Sequence, residues 1–106
     1  DSKGDLRRII RNVQTSAYVL VAADAGKCVL ITSGGVTLNT NTFSDGEAVT
    51  IVNNSGSDQT ITQGSGVTLY NSADGSTGNR TLAGRGMATI WCGGGTSFFI
   101  SGAGLS

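Results

Sequence analysis

Asp45 and Glu47 flank Gly46, a spacing that sets two carboxylates near enough for acid–base work. The same short acidic-glycine text is a turn signal, and turn chemistry is the simpler reading. Asp74-Gly-Ser-Thr-Gly-Asn79 offers oxygen ligands and glycines in the manner of a loose calcium loop. It lacks the regular acidic positions and the closing Glu that such a loop needs. Gly64-Ser-Gly66 and Gly84-Arg-Gly86 have the glycines of a phosphate cradle. They lack the Gly-Lys-Ser/Thr ending and the helix that would follow it. The chain contains no histidine. That removes Ser-His-Asp and Cys-His nucleophile sets, most zinc sites and the usual base near neutral pH. Asn53-Asn-Ser55 and Asn79-Arg-Thr81 match the glycosylation sequon, as chance alone provides in so Ser/Thr-rich a chain. No catalytic residue, cofactor or metal is expected, and an enzyme is the least supported class.

The aromatic residues are Tyr18, Phe43, Tyr70, Trp91, Phe98 and Phe99. They read either as a sugar-stacking platform or as core, and core suits most of them because each lies in or beside an apolar run. Phe98 and Phe99 are adjacent, so in a strand they point to opposite faces. A single small core covers one face. Leaving the other ring in water forfeits about 1.5–3 kcal/mol relative to burial, which calls for a second surface. Phe98 and Phe99 therefore mark a candidate subunit interface on the C-terminal hairpin. Trp91 is a further candidate whose face strand parity does not decide.

These residues sit in text that reads as β scaffold. A turn-plus-strand unit recurs as Asp24-Ala-Gly-Lys-Cys-Val-Leu-Ile31, Ser44-Asp-Gly-Glu-Ala-Val-Thr-Ile51 and Ala83-Gly-Arg-Gly-Met-Ala-Thr-Ile90. A second echo is Gly35-Val-Thr-Leu38 against Gly66-Val-Thr-Leu69. Strand-like runs are expected at 17–23, 27–32, 36–38, 48–53, 59–62, 67–70, 87–92 and 97–101. Asn54 to Asp58 reads as a turn joining 48–53 and 59–62 into a hairpin. The runs at 87–92 and 97–101 read as a closing hairpin. The fold class expected is all-β, a small sandwich or barrel of about eight short strands.

Residues 1–16 differ from the β body at 17–106 and read as an N-terminal connector. Leu6, Ile9, Ile10 and Val13 fall at helical spacing behind a possible cap at Asp5, so the pattern predicts a short helix there. The rival is an extended connector that packs Ile9 and Ile10 on the β body. The basic residues Lys3, Arg7, Arg8 and Arg11 have no interleaved aromatics and read as a solvated face rather than a nucleic-acid patch. The chain begins at Asp1 rather than Met, which reads as a fragment or processed form of something longer.

At 106 residues the chain is one domain by length. Charged residues are 13% and the net charge is zero, so neither nucleic acid nor an acidic membrane surface is an expected partner. There is no apolar stretch of membrane-spanning length. There is no proline, so turns fall to Gly, Asn and Asp. Cys28 and Cys92 are too few for a disulfide framework and are expected to be reduced and buried. A bridge between them would need a geometry that spacing alone does not supply.

Three stretches carry a resemblance: Ala17 to Lys27, Phe43-Ser-Asp-Gly-Glu-Ala-Val-Thr-Ile51 onward to Gln63, and Thr77-Gly-Asn-Arg-Thr-Leu-Ala-Gly-Arg-Gly-Met-Ala-Thr-Ile90 with Ile100-Ser-Gly-Ala-Gly104. Together they resemble a small module of tailed-bacteriophage virion structural proteins, of the tail-fibre-like kind found in marine and cyanobacterial phages. The resemblance implies a β-rich, non-enzymatic virion component, a homotrimer in fibres, assembled in the host cytoplasm beside other virion proteins. It carries no catalytic or receptor residue onto this chain. A part in a tail fibre, spike or similar appendage, with possible contact to a host-surface glycan or receptor, is the first expectation. A capsid decoration or cement protein is the alternative, and a glycan-binding lectin-like module the second.

Overall fold

The computed structural model describes residues 11–39, 43–94 and 96–106. Nine strands occupy them: β1 (Arg11–Gln14), β2 (Tyr18–Val19), β3 (Cys28–Ile31), β4 (Val36–Leu38), β5 (Ala48–Asn53), β6 (Gln59–Gln63), β7 (Thr68–Asn71), β8 (Arg80–Gly94) and β9 (Ser97–Leu105). One 3₁₀ turn, Ala22–Asp24, is the only helical piece among the described residues. The sheet runs β1-β3-β5-β8-β6-β4-β2, with β9 on β8 and β7 on β9, and curls into a nearly closed barrel. The all-β expectation holds.

The first six strands wind as three coils. Each coil gives one strand to each of two parallel stacks. In the first stack Val13 lies beside Leu30 and Leu30 beside Val52. In the second, Tyr18 lies beside Val36 and Val36 beside Ile61. Parallel neighbours need a long crossover, usually a helix. Here the crossover is the remainder of a coil. β8 then runs antiparallel along both stacks, its early part on β6 (Gln59 beside Leu82) and its later part on β5 (Ala48 beside Trp91). β9 folds back along the other edge of β8 and carries β7 beyond it, in parallel.

Period-2 alternation sends one set of side chains inward. Val29, Ile31, Leu38, Ile51, Ile61, Leu69, Leu82, Phe98 and Ile100 are fully buried. β-branched residues suit these pleated, stacked positions, and each full burial contributes about 1.5–3 kcal/mol. Two of the three sequence units occupy neighbouring rungs, with Val29 beside Ile51. Their turn glycines, Gly26 and Gly46, both take positive φ, 77° and 83°, which a side chain would resist. The third unit lies in β8 and runs the opposite way.

Three local expectations fail, each for a polar reason. The run 17–23 is not one buried strand: β2 ends at Val19 and the chain turns at Ala22–Asp24. The cause is Asp24, only 1% exposed. Its carboxylate accepts hydrogen bonds from the Asn12 amide (2.8 Å), the Tyr18 hydroxyl (2.7 Å) and the Val21 backbone N–H (3.0 Å). This polar knot ties β1, β2 and the turn together. The helix expected within 1–16 is absent where that stretch is described, since Arg11–Gln14 is a strand paired with β3. There Asn12 serves the knot while Arg11 and Val13 face out, a period-2 demand that overrides helical spacing. The helix cap expected at Asp5 and the positions of Ile9 and Ile10 lie outside the described residues. The 48–62 hairpin is also replaced, because β5 and β6 pair with β8 and not with each other. The buried Asn53 amide donates to the carbonyls of Ser57 (2.8 Å), Leu82 (2.9 Å) and Ala83 (3.1 Å) and so fixes the corner against β8. The closing hairpin is present and longer than expected.

Replacing Asp24 with Ala leaves the Tyr18 hydroxyl and the Val21 N–H without this acceptor and takes from the Asn12 amide one of its two, and is expected to cost about 2–3 kcal/mol in urea unfolding, against about 1 kcal/mol for Tyr18→Phe. Burial, then the hydrogen bond to Asp24, holds the Tyr18 hydroxyl above its ordinary pKa. Its stabilising contribution is therefore full below the ordinary tyrosine range and is lost as pH climbs through and past it. Alkaline unfolding curves should show that decline in the wild type and a smaller one in Tyr18→Phe.

Candidate functional site

The same alternation that fills the core sends a second set of side chains outward from β1, β3, β5, β8 and β9. Strand register sorts them into three rows. The outer row is aromatic: Ala48 beside Trp91, Trp91 beside Phe99, Phe99 beside Tyr70. The middle row is small and polar: Cys28, Thr50, Thr89 and Ser101, with Arg11 at its end. The third row is aliphatic: Val13, Leu30, Val52, Met87 and Ala103. Trp91 is 48% exposed, Met87 51% and Phe99 38%. Large apolar side chains that stay this open, side by side on β8 and β9, form one patch rather than scattered surface residues.

Phe98 and Phe99 do face opposite ways. Phe98 is fully buried, so of the pair only Phe99 belongs to the outward face, and Phe98 is core. Trp91, whose side strand parity left open, stands across from Phe99 with ring centroids 6.2 Å apart and planes tilted 43°. Tyr70 stacks on the other side of Phe99 at 5.1 Å and 19°. Gly93 makes room for this trio: a Cβ there would come within 2.7 Å of the Phe99 ring. Tyr70, Met87, Val52, Leu30 and Val13 were missed in the sequence as surface residues. Tyr70, Met87, Val52 and Leu30 lie in runs where both faces carry apolar residues, so alternation of polarity is silent, and Val13 also fits the helical spacing of Leu6, Ile9 and Ile10. The pairing register is the signal that places them.

The ring geometry limits the chemistry. Tyr70 and Phe99 present ring faces to each other, so their edges point outward. Sugars stack on ring faces, and the faces that Tyr70 and Phe99 turn to each other are already covered. Edges, methyls and a thioether beside a row of hydroxyls suit a protein surface. Thr50 and Thr89 already share a hydrogen bond across the middle row, at 3.2 Å.

The other candidate sites resolve into turn chemistry. The Glu47 carboxylate accepts the Ser44 backbone N–H at 2.7 Å, closing the turn around Gly46. Asp74 accepts both the Ser76 N–H (2.9 Å) and its hydroxyl (2.7 Å), bonds that hold its carboxyl below the usual range. Gly84-Arg-Gly86 lies inside β8 at an irregularity in register, where Arg85 takes φ 64° and its guanidinium donates to the Asn54 side chain at 2.5 Å. Among the described residues no three His, Cys, Asp or Glu side chains cluster as a metal site would require. Among them, too, every buried side-chain nitrogen and oxygen has a hydrogen-bond partner.

Both cysteines are free thiols. Cys92 is buried, its Sγ 3.7 Å from the Phe43 carbonyl. Cys28 is only half-buried, contrary to expectation, because it faces out in the middle row. Burial pushes the Cys28 thiol up, and the Arg11 charge partly opposes that.

Comparison with protein-family models, curated proteins and solved structures finds no match to this chain.

Thiol titration of the native protein is expected to label Cys28 alone, and slowly at neutral pH, with Cys92 joining only on unfolding. Arg11→Ala removes the opposing charge and should slow Cys28 further. Fast labelling of both thiols before unfolding would contradict the assignment. Gly93→Ala is expected to displace the Phe99 ring, seen as a changed near-ultraviolet dichroism with the far-ultraviolet β signal kept.

Proposed function

We propose that the chain is a non-enzymatic structural module of a bacteriophage virion, part of a tail fibre, spike or similar appendage, that assembles through its outward sheet face. The observation that carries this reading is the three-row face, charged only at Arg11 on its rim, set on a scaffold whose described buried polar groups are all hydrogen-bonded. Among the described residues, Asp24, Asn53 and Asn71 are the buried polar ones. Asp24 and Asn53 fix strands or corners, and Asn71 accepts the Ala73 N–H to shape the loop after β7. The resemblance of the 17–27, 43–63, 77–90 and 100–104 stretches to virion modules supports the setting. So does a neutral surface rich in Gly, Ser and Thr, which stays soluble at high copy number. Assembly in a reducing host cytoplasm agrees with two free thiols. The three chains of fibre proteins are what the resemblance implies for the parent assembly.

Immunogold labelling of purified particles with an antibody to this chain tests the reading. The expected label sits on an appendage. A label spread over the capsid shell favours the decoration alternative, and a chain absent from particles overturns the virion reading.

A further inference from the structure

We infer that the outward face packs on the same face of a second copy of this chain, sheet on sheet, about a two-fold axis that runs along the Thr50–Thr89–Ser101 row. The inference rests on the assembly reading above and names its partner.

The argument is the symmetry of the rows. On β8 the outward residues are Met87, Thr89 and Trp91; on β9 they are Ala103, Ser101 and Phe99; on β5 they are Val52, Thr50 and Ala48. Each strand thus carries a small polar residue in the middle, with a larger and a smaller or more pliant side chain two positions to either side. A half-turn about the middle row keeps every strand in place and exchanges the outer rows. Trp91 then meets Met87 of the second copy, a thioether on an aromatic ring, which is a favourable contact. Phe99 meets Ala103, large on small, and Ala48 meets Val52. Thr89 meets its own equivalent. Large and small side chains facing each other in this way let two layers interdigitate at the roughly 10 Å separation of packed sheets.

Charge and area point to the same occupant. Arg11, the one charged residue in the three rows, lies at the exposed end of the axis row, three strands from Thr89; it comes near its own equivalent there, where solvent screens the two charges, and every other position of the rows meets without charge. A charged partner would lose hydration here and gain no counter-charge. Five strands about 4.8 Å apart and three rows about 7 Å apart span on the order of 500 Å² per copy. The pair then buries on the order of 1,000 Å², the lower limit for a specific interface.

A charge-swap pair at the axis tests this. Thr89 is exposed, and Thr89→Lys and Thr89→Glu each place a like charge opposite its own copy. Sedimentation equilibrium of the wild type at micromolar concentration should give a dimer. Each variant alone should be monomeric, with association weakened on the order of a hundredfold, and their equimolar mixture should return to a dimer. Trp91, the only tryptophan, reports the same event as a red shift of its emission on dilution of the wild type. If a Thr89 variant fails to fold by far-ultraviolet dichroism, the pair Ser101→Lys and Ser101→Glu, on the same axis, replaces it. A wild-type monomer, a wild-type trimer or a mixture that stays monomeric overturns the two-fold pairing. None of these touches the virion reading, which falls only if the chain is missing from particles.

Discussion

One strand closes the molecule. β8 is 15 residues long and hydrogen-bonds on both edges. On one edge it spans the ends of two parallel stacks, and on the other it holds β9. Without it the third coil would present two unpaired strand edges to water, a ready template for other chains. The irregularity between Leu82 and Met87 lets β8 pass from one stack to the other. Arg85, held at positive φ between two glycines, marks that bend, and its N–H donates to the Ser55 carbonyl at 3.1 Å. The Asn53 amide fixes the same corner from the opposite side.

The closure also creates the outward face. β8 brings Met87, Thr89 and Trp91 between β5 and β9, so rows that begin on β1 continue without a break to the last strand. Core and face are then two sides of one alternation. Ala88, Ile90 and Cys92 go in as Met87, Thr89 and Trp91 go out. A register slip of one residue would exchange them.

Much of the fold was legible because strand text and turn text are local. The runs 36–38 and 48–53 appear with the ends expected, and the turn glycines of the first two units sit where the repeat puts them. Pairing was not legible. Apolar runs of similar length do not say which neighbour each will take, and a parallel coil differs from a hairpin only in where the chain goes next. Asp24 was read as a turn residue, and its burial depends on Asn12 and Tyr18 arriving from other strands. The outward face was half legible. The Phe98-Phe99 adjacency put one ring outside, whereas the aliphatic row from Val13 to Ala103 exists only across five strands and has no trace along any one of them.

The order of the strands along the chain has a consequence for synthesis. The strands β1 to β6 form three coils whose closing partner is β8, and β8 in turn is flanked by β9. A chain emerging from the ribosome therefore carries the open edges of β5 and β6 until residues 80–105 are out. Nascent chains in that window hold exposed strand edges and unburied valines and isoleucines at once, the condition under which neighbours on one polysome associate wrongly. A scarcity of charge leaves little repulsion to keep them apart. Translation speed across the 72–79 loop, just before β8, becomes a quantity on which the yield of correctly closed molecules depends.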